Sequence, residues 1–227
     1  MGYDETANKE VTTIDSELEN YLSRETSRLN YPLKVETVVK NGSLTDEIEL
    51  IIKEVPSCSV VTSSEPDKTI FETKEEIYDF VKDSGALCVL VPPGYEFREY
   101  NKILHPVDFS SNELGKYSDL KFFFDAFDPM VNAVTVAAGE DNLELELKSN
   151  SWMNIAKDTL LPAKVKANIL KGDDNVETIA GYLMRNEHDL VMLFQHKKNL
   201  FRKNFKTAMV GEIIEKTNTP VLYFYRK

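Results

Sequence analysis

The stretch YNKILHPVDFSSNE, residues 100–113, joins an apolar run to a polar loop and then to a helix-forming sequence. Residues Ile103–Val107 are mostly apolar and predict a buried strand. Asp108 follows this strand, and either Ser110 or Ser111 suits the N-cap position of the helix that comes next. The same order of strand, loop and helix recurs along the chain in both directions.

Towards the C-terminus the order repeats with short connections. The predicted helices are Asn112–Phe127, 143–160, 175–186 and Thr207–Lys216, and the predicted strands are Ala133–Ala138, Lys164–Leu170, Leu190–Phe194 and Val221–Tyr225. This alternation predicts an α/β fold in which an open, mainly parallel sheet is flanked by helices.

Towards the N-terminus the alternation continues. The predicted helices are 14–29, 44–54 and 73–84, and the predicted strands are Leu33–Val39, Ser59–Thr62 and Ala86–Val91. The last strand, ALCVLV, is continuously apolar, as is usual for a strand covered on both faces. Pro92-Pro93-Gly94 then interrupts the pattern. We therefore predict two similar lobes, residues 1–97 and residues 98–227, of which the second is complete.

An internal repeat supports the two lobes. LKVETVVKNGSLTDEIELII, residues 33–52, aligns with AKVKANILKGDDNVETIAGYL, residues 163–183, at an offset of 130 positions that also brings Val61 onto Val191. At this offset the first lobe lacks a counterpart of the strand at 103–107 and of the helix and strand that follow it. Because buried backbone groups are almost always paired, we expect that another segment fills the gap or that residues 1–50 dock elsewhere, for example by exchange with a second chain.

Charge and apolar patterning exclude several classes of protein. The chain has 227 residues, 42% of them hydrophobic, and its net charge of −11 arises within residues 1–100, which carry 21 acidic and 10 basic side chains. Nucleic-acid binding requires a broad basic field, which this chain lacks. Since there is no apolar run of about 18 residues and no signal-peptide pattern, we expect a cytoplasmic protein without a membrane span. Cys58 and Cys88 lie in apolar runs and are expected to be buried, reduced thiols.

Two stretches resemble the universal stress protein family. YNKILHPVDFSSNE resembles the family's opening strand and loop, and DLVMLFQHKKNLFRKNFKTAMVGEIIEKTNTPVLYF, residues 189–224, resembles its closing half. The resemblance implies a Rossmann-like fold of the adenine nucleotide alpha hydrolase type, arranged as a dimer or as a tandem pseudo-dimer. It also implies that Val221–Tyr225 pairs antiparallel with its repeat counterpart, Leu87–Val91.

The resemblance further implies an adenine-nucleotide site at the carboxyl ends of the strands, where open parallel sheets bind ligands. Pro106, Val107 and Asp108 would form its adenine end. The remaining positions belong to a loop and the helix after it: Phe194, His196, Lys197, Thr207 and Ala208.

Nucleotide-binding members have glycine at the positions of Phe194 and Lys197, and Gly-Ser at those of Thr207 and Ala208. Glycine lets the backbone approach phosphate closely and adopt positive φ, which phenylalanine and lysine do not. The expected site is therefore degenerate, although Asp108 and the histidine at 196 match positions that contact ATP in binding members. Replacing Phe194 and Lys197 by glycine is expected to restore some ATP affinity.

No catalytic constellation stands out, and the three histidines lack metal-ligand spacing. The basic loop at 196–206 is either a solvated loop or a side-chain anion site.

We predict a non-enzymatic stress-response or regulatory protein without a cofactor. The alternative is a protein that binds ATP or another adenine nucleotide and hydrolyses it weakly. The expected partner is a second copy, unless the two lobes form an intramolecular pseudo-dimer; an unidentified protein partner is a further alternative.

Overall fold

A computed structural model of the chain describes residues 16–24, 36, 38–39, 42–55, 58–68, 70–109, 117–118, 120–139, 143–159, 164–196 and 207–226. Within these ranges, the side chains at 195, 196, 207–210, 225 and 226 are not described. The chain divides into two compact units, residues 1–47 and residues 48–227. Along the described residues, no helix combines the length and the apolar character needed to cross a membrane.

The unit of residues 1–47 contains helix α1, residues 16–24, and the rest of the predicted helix at 14–29 falls outside the described residues. Leu18 and Tyr21 of α1 are exposed. The predicted strand Leu33–Val39 is described at positions 36, 38 and 39 alone, and none of the three lies in a strand. The rest of that prediction falls outside the described residues.

Helix α2 spans Leu44–Glu54 and crosses the boundary between the two units. The remaining helices are α3 (Lys74–Ser84), α4 (Lys121–Phe127), α5 (Leu143–Thr159), α6 (Asn175–Arg185) and α7 (Thr207–Thr217). The strands are β1 (Ser59–Ser63), β2 (Leu87–Val91), β3 (Lys102–Pro106), β4 (Met130–Ala137), β5 (Lys164–Lys171), β6 (Leu190–His196) and β7 (Val221–Arg226).

The seven strands form one sheet in the order β1-β2-β7-β6-β3-β4-β5. All neighbours are parallel except β2 and β7, which pair antiparallel from Leu87 opposite Phe224 to Leu90 opposite Val221. The α/β prediction and the predicted antiparallel pairing of Leu87–Val91 with Val221–Tyr225 are thus confirmed. The boundary predicted at residue 97 lies in the connection between β2 and β3, and it stays a prediction.

The sheet is covered on both faces by apolar side chains. The front face packs against α4 and α5 through residues such as Ile103, Phe124 and Trp152. The back face packs against α3, α6 and α7 through residues such as Ile77 and Ile213. Both clusters include residues of β2 and of β7, so the core runs continuously across the pairing of the two lobes.

The back face also carries a polar link between the lobes. The ammonium of Lys74, at the start of α3, lies 2.8 Å from a carboxylate oxygen of Glu65 and 2.6 Å from one of Glu215 in α7. These two carboxylates raise the pKa of Lys74. Since Lys74 is partly exposed and the two carboxylates are more exposed than Lys74, we assign this ion pair a role in orientation rather than a large share of the stability.

Two predictions required correction or refinement. The helix expected at 112–127 is described as α4 from Lys121 only, after a short 3₁₀ turn at 117–118 and 120, and no side chain caps its start at Leu120. Of the two thiols, Cys88 is buried, which raises its pKa to about 12, whereas Cys58 is only half-buried.

Candidate functional site

The strand order reverses between β3 and β6, which makes this the switch point of the sheet. From β3 the chain proceeds outward to β4 and β5, whereas β6 leads to β7 on the other side. β3 and β6 are parallel and aligned, with Ile103 opposite Leu190 and Leu104 opposite Val191. Their carboxyl ends therefore meet at one edge, where open α/β sheets form ligand sites.

The β3 side of the switch point consists of the predicted residues Pro106, Val107 and Asp108. Pro106 is buried as the last residue of β3. Val107 is also buried, and its N–H donates to the carbonyl of Val134 at 2.8 Å, which ties the loop to β4. Asp108 is partly exposed and Phe109, next to it, is buried with φ of 54°. A bulky residue in the left-handed region is strained, and such strain often marks ligand sites.

Beneath this loop, the imidazole of His105 is fully buried. Its Nδ1 lies 2.9 Å from the carbonyl oxygen of Met192, and its Nε2 lies 2.5 Å from the hydroxyl of Tyr117. A carbonyl oxygen can only accept, so Nδ1 carries a proton and donates it to Met192. The imidazole thus ties β3 to β6 and, through Tyr117, to the turn before α4.

The β6 side of the switch point is filled by the ring of Phe194. This ring is 9% exposed and packs on the front face, with its centroid 5.1 Å from His105 and 5.4 Å from Tyr117. The strand does not turn at this residue. β6 continues to His196, which pairs with Arg226 of β7. Residue 194 is thus an ordinary strand position rather than the first residue of a phosphate-binding turn.

The other predicted residues lie beyond this point. His196 ends β6, and Thr207 and Ala208 are the first residues of α7, but their side chains are not described. Lys197 and the rest of the basic loop to 206 fall outside the described residues. The structure therefore brings Asp108, Phe194 and His196 to one edge of the sheet by strand order, and it leaves the phosphate end undescribed.

Sequence reasoning missed the aromatic cluster under the site. Trp152 of α5 is 2% exposed, its ring lies 5.6 Å from that of Phe109 and 6.3 Å from that of Tyr117, and its Nε1 has no acceptor among the described residues. Helical periodicity predicts the buried face of α5 but not the tertiary neighbours of Trp152.

A groove of about 350 Å³ borders this cluster on the α5 side. Phe109, Leu147, Trp152 and Ile155 give it an apolar floor. Polar groups stand at its rim, where the Lys148 ammonium lies 2.6 Å from a carboxylate oxygen of Glu144. Within the described residues, no group of three or more acidic, histidine or cysteine side chains has the arrangement of a metal site.

An adenine nucleotide would fit this edge only in part. A glycine at 194 would leave room for a phosphate to approach the backbone, whereas the chain places a buried aromatic ring and a continuing strand there. Asp108, at the β3 end of this edge, is partly exposed.

Comparison with known proteins agrees with this architecture. No known protein-family profile matches the chain, and no curated protein sequence matches it. Among solved structures, a universal stress protein from Archaeoglobus fulgidus DSM 4304 superposes over 96% of this chain and 78% of its own, with a TM-score of 0.63 at 11% identity.

Shorter matches include a universal stress protein in complex with cAMP, which covers 56% of this chain and 98% of its own at 14% identity, with a TM-score of 0.43. Another is the Archaeoglobus fulgidus universal stress protein in complex with dAMP, which covers 56% of this chain and 99% of its own at 16% identity, with a TM-score of 0.41. From the superposition that spans nearly the whole chain, we conclude that this protein has the α/β fold of the universal stress proteins.

Proposed function

We propose that this chain is a universal-stress-protein-like regulatory protein of the cytoplasm that acts without binding nucleotide and without catalysing a reaction. The observation that carries the proposal is the buried ring of Phe194 at the switch point. A phosphate cradle needs exposed backbone N–H groups at this place. Here those groups belong to a strand that continues to His196 and pairs with β7.

The proposal is tested by thermal unfolding with and without ATP and magnesium. A ligand present at 100 times its Kd stabilises a protein by about 2.7 kcal/mol. For a chain of this size, that free energy corresponds to a rise in Tm of roughly 5–10 °C. We expect no change in Tm at millimolar ATP, and a rise of several degrees would contradict the proposal.

A second candidate function is an ATP-binding protein with weak hydrolysis. It is favoured by Asp108, which lies partly exposed at the switch point next to a groove with an apolar floor. A carboxylate there could accept a hydrogen bond from the ribose or the base. This candidate predicts that ATP raises Tm, that Asp108→Asn abolishes the rise, and that Glu144→Gln at the outer rim of the groove leaves it unchanged.

A further inference from the structure

The two ends of the described sheet differ in chemistry. β5 ends one side and carries lysines at 164, 166 and 171. Charged residues, lysine above all, protect an edge strand from pairing with another chain. β1 ends the other side among the described residues, and its sequence, SVVTS, contains neither a charge nor a proline. By this criterion β5 is protected and β1 is open to a further strand.

Exposed apolar side chains accompany this unprotected strand. Val61, in the centre of β1, is 66% exposed on the front face, since it aligns with the buried Val89 of β2. On the back face, Ile52 of α2 packs against the core, while Leu50 and Ile51 on the same helix are exposed. The consecutive elements α2 and β1 thus both expose apolar side chains.

Two copies of β1 can pair antiparallel with compatible side chains opposite each other. In an antiparallel pair centred on Val61, each Ser59 would face Ser63 of the other strand and each Val60 would face Thr62. The centre would place Val61 opposite Val61. Cross-strand pairs of β-branched residues stabilise sheets, and this arrangement puts no like charges opposite each other.

We propose that β1 is an interaction surface for a second copy of this chain, which pairs antiparallel with it about a two-fold axis through Val61. Such an interface is isologous, because the same strand is used by both copies. An axis perpendicular to the sheet keeps both copies of α2 on the back face. The flank of each α2 helix that carries Ile51 adds to the small area of a five-residue strand.

The first experiment measures the mass of the full chain by light scattering over a hundredfold range of concentration. We expect a dimer that dissociates on dilution, and a Tm that rises with protein concentration. Val61→Lys is expected to give a monomer at all concentrations, because two ammonium groups would face each other at the axis. Val61 is exposed in one copy, so the variant should fold normally, as judged by circular dichroism.

The matched control adds the same charge to the other edge. Asn168 of β5 is exposed, and Asn168→Lys is expected to leave the dimer intact. A wild-type chain that stays monomeric, or a dimer that Val61→Lys does not weaken, would overturn the proposal.

A second experiment fixes the register in a Cys58→Ser background. Val61→Cys is expected to form an intermolecular disulfide in high yield, because the two Cα atoms at the axis would lie within the roughly 4.4–6.8 Å that a disulfide requires. Ser59→Cys should not cross-link with itself, since the two positions would lie roughly 14 Å apart along the strands. Equal cross-linking at 59 and 61 would contradict the antiparallel register.

Discussion

Phe194 is the residue on which the proposed loss of nucleotide binding rests. Its ring centroid lies 6.0 Å from that of Phe224 and 5.1 Å from that of His105. The residue therefore contributes to the core of the sheet, and its role is coupled to stability. Any attempt to recover nucleotide binding by changing it must also replace that packing.

Truncating this ring is expected to destabilise the protein. Phe194→Ala should lower the free energy of unfolding by about 3–5 kcal/mol, as large-to-small changes of buried aromatic residues do. Urea unfolding measures the effect. Phe97, which is 67% exposed, provides the control, and Phe97→Ala should change stability by less than about 1 kcal/mol. Equal losses for the two variants would show that the ring at 194 is not packed as described.

The double change of Phe194 and Lys197 to glycine stays a prediction, with an added condition. The structure places the ring of Phe194 in the core, so the variant must be shown to be folded before its ATP affinity is measured. A folded variant that still shows no ATP-dependent Tm shift would locate the defect elsewhere, at Thr207 and Ala208.

His188 lies at the centre of a second polar network, on the back face. Its Nδ1–H donates to the carbonyl of Asn186 at 2.7 Å, and its Nε2 lies 3.3 Å from the amide nitrogen of Asn132. The amide of Asn132 also receives a hydrogen bond from Asn168 at 2.6 Å. Burial lowers the pKa of His188, and the positive charge of Lys102 lowers it further.

This lowered pKa predicts a loss of stability in acid. The unfolded chain takes up a proton on His188 near pH 6.5, whereas the folded chain does so only at lower pH. The stabilisation is therefore complete above pH 6.5 and declines as the pH falls towards the folded pKa. We expect His188→Gln to unfold with a smaller difference in free energy between pH 7.5 and 5.5 than the wild type. An identical difference in both proteins would contradict this role.

At the scale of elements, α3 and α7 approach closely at Gly211. A Cβ built on Gly211 would lie 2.6 Å from the hydroxyl oxygen of Tyr78 and 3.4 Å from the ring carbon that bears it. The first distance is too short for a real contact, while the second is tolerable. The glycine thus permits α3 and α7 to pack side by side against the same sheet.

The contact predicts that the effect of Gly211→Ala on the free energy of unfolding depends on the Tyr78 hydroxyl. Alanine is favoured over glycine inside a helix by up to about 1 kcal/mol. Gly211→Ala should nevertheless destabilise the wild type, because the methyl group meets the Tyr78 hydroxyl. In a Tyr78→Phe background the same change should be neutral or stabilising, as measured by urea unfolding. A loss of the same size in both backgrounds would exclude the hydroxyl as the cause.

The elements also show how far the sequence could predict the fold. The mainly parallel α/β sheet was predicted from the strand–helix alternation, and the β2–β7 pairing from the family resemblance. The repeat alignment was one residue off in β1, because it placed Val61 on Val191. The ladders put Val61 on the front face with Val89, while Val191 packs into the back-face cluster. Side chains alternate between the two faces of a strand, so an alignment that is wrong by one residue assigns every side chain to the wrong face. Sequence similarity between two short apolar strands does not determine their alignment to within one residue.

The site was less predictable than the fold. The resemblance predicted a site at the carboxyl ends of the strands and drew attention to residue 194, but it did not predict where the ring of Phe194 packs. The partners of Phe194 come from β3, the turn before α4 and β7, which are distant in the sequence. Contacts of this kind follow from tertiary packing, whereas a sequence pattern gives only the buried face of each element.

At the scale of the whole molecule, the central question is whether the two lobes unfold together. The two core clusters each contain residues from both sides of residue 97, for example Val89 with Leu222 in front and Ile77 with Ile213 behind. Small single domains with a continuous core usually unfold in one cooperative transition. We therefore expect residues 58–226 to behave as one unit rather than as two domains.

Hydrogen exchange of the intact chain tests this cooperativity. Ile77 of α3 is fully buried, and Ile77→Ala should cost about 2 kcal/mol or more. If the lobes unfold together, the slowest amides of β4 and β6 should exchange at least about tenfold faster in this variant. Neither strand is a hydrogen-bonded neighbour of β1 or β2, so a local effect of the substitution would not reach them. Leu104→Ala in β3 is the reciprocal variant, and it should accelerate exchange in β2 to a similar degree. Protection in β4 and β6 that is unchanged by Ile77→Ala would mean that the lobes unfold separately, so that the predicted boundary at 97 would also be a boundary of cooperativity.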